Sequence, residues 1–137
     1  MTNKTNIVIV EDRPVVQQRL TDLFKEQGDF CIGALCSSAE EVMSRLEQIA
    51  CDVLIADLEL PGMNGEELIP LVRAKYPFMK IVIFTVFEDQ ARIVRLLRLG
   101  VNGYLLKDTR GDELCRAIKA AADGQVQLSP QIAARLI

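Results

Sequence analysis

The sequence predicts an α/β domain in which a parallel sheet of five strands is covered by helices on both faces. Short, wholly apolar segments alternate with helical patterns along the chain, and these segments lack the alternation of a strand with one face in water. The chain has 137 residues, half of them hydrophobic and 26% charged, so it is long enough to bury one core of its own.

The first half of the chain is predicted to form three strands separated by two helices. Gly28 ends the first helix, and Ser38 with Glu41 three residues later is a capping box that begins the second. The predicted elements are, in order, a strand at 7–10, a helix from Pro14 to Gly28, a strand at 30–35, a helix from Ser38 to Ile49 and a strand at 53–56.

The second half continues the same alternation. Asn64 and Glu67 repeat the capping box, the proline of Tyr76-Pro77 stops that helix, and Thr109 with Asp112 is expected to cap the last long one. The predicted elements are a helix from Asn64 to Tyr76, a strand at 81–84, a helix from Asp89 to Leu99, a strand at 101–106, a helix from Thr109 to Gly124 and a further helical pattern at 129–137.

Composition excludes several classes of function. A net charge of −3 argues against direct binding of nucleic acid, and the absence of histidine excludes a histidine triad, a histidine phosphodonor and a histidine-ligated metal within this chain. The cysteines have no C-x-x-C spacing and are expected to be reduced thiols.

No apolar segment is long enough to cross a membrane and Met1–Lys4 lacks a signal-peptide core, so we expect a cytoplasmic protein without membrane contact.

Chemistry-bearing residues stand where the predicted strands end. Glu11 and Asp12 follow the first strand, Asp57 the third, Thr85 the fourth and Lys107 the fifth. In open parallel sheets, ligands bind beyond the carboxyl ends of the strands, so these side chains are expected to meet at one edge.

Three carboxylates at one edge favour a hard divalent cation. Like charges about 4 Å apart repel by roughly 4 kcal/mol at an effective dielectric constant near 20, and Mg²⁺ relieves that repulsion with oxygen ligands. An aspartate beside such an ion and the Lys107 ammonium is well placed to attack phosphorus, which makes Asp57 a candidate phosphoacceptor.

Each of these residues has an ordinary structural explanation when taken alone. Asp57 could be a helix-cap or turn residue, Thr85 a β-branched strand residue, Lys107 a solvated charge and Tyr104 a core aromatic. The functional interpretation depends on compatible side chains sharing the same end of adjacent strands.

These motifs together resemble the receiver domains of response regulators. The resemblance extends from about Asn6 to Gly124 and depends on Glu11-Asp12, on Asp57-Leu58-Glu59-Leu60-Pro61-Gly62-Met63-Asn64-Gly65, on Thr85 and on Tyr104-x-x-Lys107. It implies a flavodoxin-like (CheY-like) three-layer fold with strand order 2-1-3-4-5, and phosphorylation of Asp57 by a sensor histidine kinase. The receiver domain is expected over residues 1–124.

The same resemblance implies a role for each residue at the site. Asp12, Asp57 and the backbone carbonyl of Glu59 would bind Mg²⁺ (or Mn²⁺), with Glu11 acting through water. Thr85 and Lys107 would contact the phosphoryl oxygens, and Tyr104 would change rotamer together with Thr85.

The C-terminal part is similar to the NarL/FixJ subfamily, through Gly100–Asp108 and Leu128-Ser129-Pro130. That subfamily joins its receiver to a helix-turn-helix domain, so residues 125–137 are interpreted as the start of a linker helix, with DNA contacted only through a domain absent from this chain. A homodimer is possible, and a stand-alone receiver is the alternative.

Three positions depart from the family pattern. Asp108 follows Lys107 where many receivers have proline, Val86 follows Thr85 where a smaller residue is usual, and Glu59 adds an acidic side chain at the mouth of the site. We hypothesise that the branched Val86 side chain narrows access to the phosphoryl group and slows its loss.

Arginines recur every three residues in the predicted fourth helix, at Arg92, Arg95 and Arg98. A solvated basic stripe is the favoured interpretation, and a partner surface formed by the fourth helix, fifth strand and fifth helix is the alternative.

Two other functions are alternatives for a chain with these residues. A phosphatase or phosphotransferase of the haloacid-dehalogenase type would use Asp57 as nucleophile, but it needs a second aspartate two residues later, where this chain has Glu59. A nucleotide- or flavin-binding module is disfavoured, because acids follow the first strand where phosphate binding needs glycines. We therefore expect a signalling phosphoacceptor rather than an enzyme, with at most self-phosphorylation and self-dephosphorylation.

Overall fold

All strands of the computed structural model are parallel and belong to one sheet, in the order β2-β1-β3-β4-β5-β6. The structure describes residues 4–137. Met1–Asn3 lie outside the described residues, and so does most of the Met1–Lys4 segment that is expected to lack a signal-peptide core. The strands are β1 (Thr5–Val10), β2 (Phe30–Cys36), β3 (Val53–Ala56), β4 (Lys80–Thr85), β5 (Gly103–Leu106) and β6 (Gln127–Leu128).

Helices follow the strands and cover both faces of the sheet. They are α1 (Pro14–Gln27), α2 (Ala39–Arg45) with a 3₁₀ turn at Leu46–Gln48, α3 (Gly65–Lys75), α4 (Gln90–Arg98), α5 (Gly111–Ala122) and α6 (Pro130–Ala134). The predicted three-layer fold and the order 2-1-3-4-5 are confirmed, and the two-residue strand β6 is added at the edge beside β5. No helix within residues 4–137 is long and apolar enough to cross a membrane.

Alternate residues of the strands enter two separate cores. In β1, Val8 and Val10 pack on the face covered by α2, α3, α4 and α6, whereas Ile7 and Ile9 pack on the face covered by α1 and α5. Because both faces of the sheet are covered, the strand sequences are continuously apolar. This is the pattern that predicted a parallel sheet.

Of the three predicted helix caps, the structure confirms one in full and one in part, and it contradicts the third. Asn64 and Glu67 form the complete capping box of α3. Ser38 accepts the Glu41 amide, but the Glu41 carboxylate accepts from Ser37 instead of completing the box. The cap predicted at Thr109 is wrong: α5 begins at Gly111, and the Thr109 hydroxyl instead donates to the Leu106 carbonyl, closing the turn after β5.

The segment after α5 packs against the sheet. Ile132 of α6 is fully buried in the core beside β5, and the buried Ser129 hydroxyl accepts the Leu106 amide at 2.9 Å. Arg135 forms an ion pair with Glu88 in the loop after β4. The structure thus places residues predicted as the start of a linker in contact with the domain.

Candidate functional site

Three of the predicted site residues are positioned by hydrogen bonds that continue the sheet beyond its strands. The Glu11 amide donates to the Cys36 carbonyl of β2 at 2.9 Å, and the Asp57 amide donates to the Val10 carbonyl of β1 at 3.1 Å. The Lys107 amide donates to the Thr85 carbonyl at 2.9 Å. The parallel ladder therefore brings these residues to one edge, although they are far apart in sequence.

The carboxylates of Glu11, Asp12 and Asp57 form an acidic cluster at this edge. One carboxylate oxygen from each lies within 4.8 Å of the others. Glu11 and Asp57 are only 2% and 3% exposed, whereas Asp12 is exposed. The cluster can therefore be reached from solvent through the side on which Asp12 lies.

The Lys107 ammonium bridges the two buried acids. Its Nζ lies 2.6 Å from Glu11 Oε1 and 2.9 Å from Asp57 Oδ2. Burial alone would lower the pKa of Lys107, but the hydrogen bonds that its ammonium donates to both carboxylates raise it, so the amine is protonated. Burial raises the pKa of Glu11 above its ordinary value, and the hydrogen bonds from Lys107 and from the Arg13 amide oppose that shift.

The loop after Asp57 is held close to the site. The Glu59 amide donates to Asp57 Oδ1 at 3.2 Å, and the Gly65 amide donates to the Leu58 carbonyl at 3.0 Å. A Cβ atom at Gly65 would overlap the Asp57 carbonyl oxygen, so only glycine allows α3 to begin this close to β3. The role of the Glu59 carbonyl as a metal ligand stays a prediction.

The two predicted switch residues both contact the backbone of Phe87, in the loop between β4 and α4. Thr85 and Tyr104 are fully buried. The Tyr104 hydroxyl donates to the Phe87 carbonyl at 2.8 Å, and Thr85 Oγ1 accepts the Phe87 amide at 3.4 Å. They are therefore linked through a third residue that the sequence did not single out.

A cavity opens over Asp57, and some of its walls come from residues that the sequence did not assign to the site. Its lining includes Asp12, Asp57, Glu59, Lys107, Glu66, Phe87 and Arg92. Glu66 and Arg92 lie in the first turns of α3 and α4. Because each helix starts near the carboxyl edge of the preceding strand, first-turn positions are the signal that could have indicated them.

The predicted arginine stripe is divided by the structure. Arg92 turns toward the cavity and pairs with Glu66, while Arg95 pairs with the same carboxylate from a more exposed position. Arg98 makes no ion pair with any residue between 4 and 137. The three arginines do not form one uniform solvated face, and a partner surface here stays a prediction.

Comparisons with known proteins agree on one family. The family described as the response regulator receiver domain matches residues 7–119. The nitrate/nitrite response regulator protein NarL of Escherichia coli is 32% identical over 134 residues, which cover 95% of this chain and 62% of that protein. The chain spans about three fifths of the length of the curated relatives that it matches.

Solved structures share the fold. The isolated receiver domain of RcsB from Salmonella enterica, in the presence of the phosphomimetic BeF₃⁻, superposes with a TM-score of 0.89 at 22% identity, covering 97% of this chain and 99% of that one. A LuxR-family two-component response regulator from Aurantimonas gives 0.88 at 28% identity, covering 98% and 96%. The fold and the acidic cluster at the edge of the sheet agree with this family match. This chain therefore belongs to the response regulator receiver domain family, in its NarL-like branch.

Proposed function

We propose that this chain accepts a phosphoryl group on Asp57 and passes the resulting change to its surface as a signal. The observation that supports this most directly is the position of the Asp57 carboxylate, which is buried against the Lys107 ammonium and lies in a cluster with two further acids. Such a carboxylate is fixed for attack, and the lysine can balance the negative charge of an incoming phosphoryl group.

The donor set fits a divalent cation. Glu11, Asp12 and Asp57 bring three carboxylates together, and Lys107 is the ammonium that contacts this cluster, so negative charge remains in excess at a site built from oxygens. Asp12, Asp57 and the Glu59 backbone carbonyl would hold Mg²⁺ (or Mn²⁺), with Glu11 acting through water. A bound ion would supply neutralisation of charge on the transferring oxygens.

The transfer itself requires little of the protein beyond positioning. An Asp57 carboxylate oxygen forms a bond to phosphorus while the bond from phosphorus to the donor breaks, and the bonding pair leaves with the donor. With a sensor histidine kinase the leaving group is the imidazole of the kinase, because this chain contains no histidine of its own. Lys107 would remain beside the phosphoryl oxygens after transfer.

The switch would act through Phe87. A phosphoryl group adds about −1.5 to −2 charges, and Thr85 turning toward it would withdraw the acceptor of the Phe87 amide. Tyr104 holds the carbonyl of the same residue, so its rotamer and the loop after β4 would change together. Moving such an equilibrium from mostly off to mostly on takes about 5.5 kcal/mol of differential stabilisation.

The output proposed here is control of transcription. The relatives include regulators described as transcriptional regulatory proteins, and this chain spans only part of their length. A sensor histidine kinase would be the upstream partner, and homodimerisation would follow phosphorylation. DNA would be contacted through a helix-turn-helix domain rather than through this acidic segment.

Phosphorylation can be tested with a small donor. The chain is incubated with Mg²⁺ and acetyl phosphate, and acid-stable, alkali-labile phosphate is measured by phosphate-affinity electrophoresis. Asp57→Asn should abolish the label. Asp52→Asn, at the opposite end of β3 where the side chain accepts the Asn6 amide, should leave it intact. Equal labelling of both variants would show that phosphate is attached elsewhere.

A further inference from the structure

Arg92 lies in the cavity above Asp57 rather than on an open helix surface. It belongs to the first turn of α4 and shares the cavity wall with Asp12, Asp57 and Lys107. Its side chain is only 27% exposed. A guanidinium in this position adds a cation to a cavity whose wall also includes Lys107, bonded to both buried acids, and the exposed Arg13.

The Arg92 guanidinium is held by contacts that leave part of its hydrogen-bonding capacity unused. Its plane stacks on the Phe87 ring, with the guanidinium carbon 4.0 Å from the ring centre. Nε approaches Glu66 Oε1 to 2.5 Å, yet this buried N–H is not aligned for a hydrogen bond with any described residue. A buried donor without a directed acceptor is costly and favours an acceptor that fits better.

Glu66 is shared between two arginines of α4. Its Oε1 faces Arg92, and its Oε2 lies 3.0 Å from Arg95 Nη2. If Arg92 left this carboxylate, Glu66 would still keep one positive partner. The exchange of Arg92 from Glu66 to another anion therefore costs less than breaking an isolated buried pair.

We propose that Arg92 moves away from Glu66 when Asp57 is phosphorylated, and that its guanidinium then donates hydrogen bonds to a phosphoryl oxygen. The inference rests on the proposed phosphorylation of Asp57. Guanidinium groups present paired donors that match phosphate oxygens, and stacking on Phe87 limits the conformational freedom that Arg92 would lose. Glu66 is then the carboxylate that competes with the phosphoryl group for Arg92.

The test uses the whole 137-residue chain with two probes: acetyl phosphate for the rate of labelling, and beryllofluoride with Mg²⁺ for affinity, followed by fluorine NMR. Beryllofluoride occupies the position of a phosphoryl group without transfer, so it reports binding alone. Arg92→Gln should lower both the affinity and the labelling rate by about tenfold, the loss expected for one charge-assisted hydrogen bond. Arg92→Lys, which keeps the charge but not the paired donors, should recover part of that loss.

The role of Glu66 is separated by a double variant. Glu66→Gln should raise the beryllofluoride affinity, because the carboxylate nearest Arg92 is removed and only the longer contact of Arg92 with Asp89, at 3.6 Å, remains. In the Arg92→Gln background the same change should have no effect. If Glu66→Gln raises the beryllofluoride affinity equally in both backgrounds, the carboxylate acts only by electrostatic repulsion of the anion. The proposed competition for Arg92 is then refuted.

Arg116→Gln is the control, since it removes the same charge from a side chain that is 74% exposed on α5. Thermal unfolding of each variant shows whether it folds. If wild-type protein is labelled and Arg92→Gln matches Arg116→Gln, the role of Arg92 is refuted while the phosphorylation of Asp57 stands. If wild-type protein takes no label on Asp57, the proposed phosphorylation of Asp57 is itself refuted.

Discussion

At the scale of single residues, Lys107 sets the charge balance of the site and the position of Asp57 before any phosphoryl group arrives. It is the partner that balances Glu11 and Asp57, two acids that are almost fully removed from water. Because the amine stays protonated and bonded to both, Asp57 is held in one position rather than being free to turn. This contact is the physical reason that Asp57 is a better candidate than any exposed carboxylate of the chain.

The side chain of Val86 bears on the lifetime of the phosphorylated state. Val86 follows Thr85 at the carboxyl end of β4 and is 52% exposed. Shortening it in Val86→Ala should open the approach of water and make the label on Asp57 decay several-fold faster, as measured by the loss of phosphate from purified labelled protein. Val15→Ala, another exposed valine, serves as the control. An unchanged decay rate in Val86→Ala would reject the shielding role.

The cysteines give a prediction with a defined dependence on pH. Burial raises the pKa of Cys36 and Cys115 from 9.0 to about 11, and that of Cys51 to about 12. Native protein at about pH 8 should therefore react rapidly with a disulfide reagent only at the exposed Cys31, and at all four thiols after unfolding. Rapid reaction of Cys51 in native protein would contradict this.

The same thiols link pH to stability. Their folded-state pKa values lie above the unfolded value, so the native state keeps the protons longer. The stability that they contribute is fully present below pH 9.0 and is lost as the pH rises through about 11. Unfolding in denaturant at rising pH should show this loss in addition to effects of other groups.

At the scale of elements, the segment from β6 to α6 is expected to contribute to the stability of the domain. Ile132 is completely buried, so Ile132→Ala should lower the free energy of unfolding by about 2–4 kcal/mol through lost burial and the cavity left behind. Leu136→Ala, at a partly exposed position beyond the helix, should change it by well under 1 kcal/mol. Equal stability of the two variants in a denaturant titration would show that α6 does not fold with the sheet.

The sequence indicated some elements better than others. Capping at Asn64 and termination at Tyr76-Pro77 were predicted because local hydrogen bonds and proline geometry decide them. The strand β6 was not predicted, since two residues are too short for any periodicity and their pairing depends on the neighbouring β5. The cap expected at Thr109 failed because its hydroxyl is used by the turn after β5.

At the scale of the whole molecule, the site depends on contacts between distant parts of the chain. Lys107 and Glu11 are 96 residues apart, and Lys107 and Asp57 are 50 apart. Their meeting could be predicted because all strands are parallel and their carboxyl ends share one edge. The contacts of Arg92 with Glu66 and Phe87 could not, because they depend on how α3 and α4 are rotated and on which rotamer each side chain adopts.

The proposed function requires that one aspartate, Asp57, receives the phosphoryl group. The most direct measurement is to treat phosphorylated wild-type protein with borohydride, which reduces an aspartyl phosphate to homoserine, and to map the product by mass spectrometry of peptides. Homoserine is expected at position 57, and unmodified aspartate is expected at Asp12 and Asp52. Homoserine at another position, with unmodified aspartate at 57 in fully labelled protein, would contradict it.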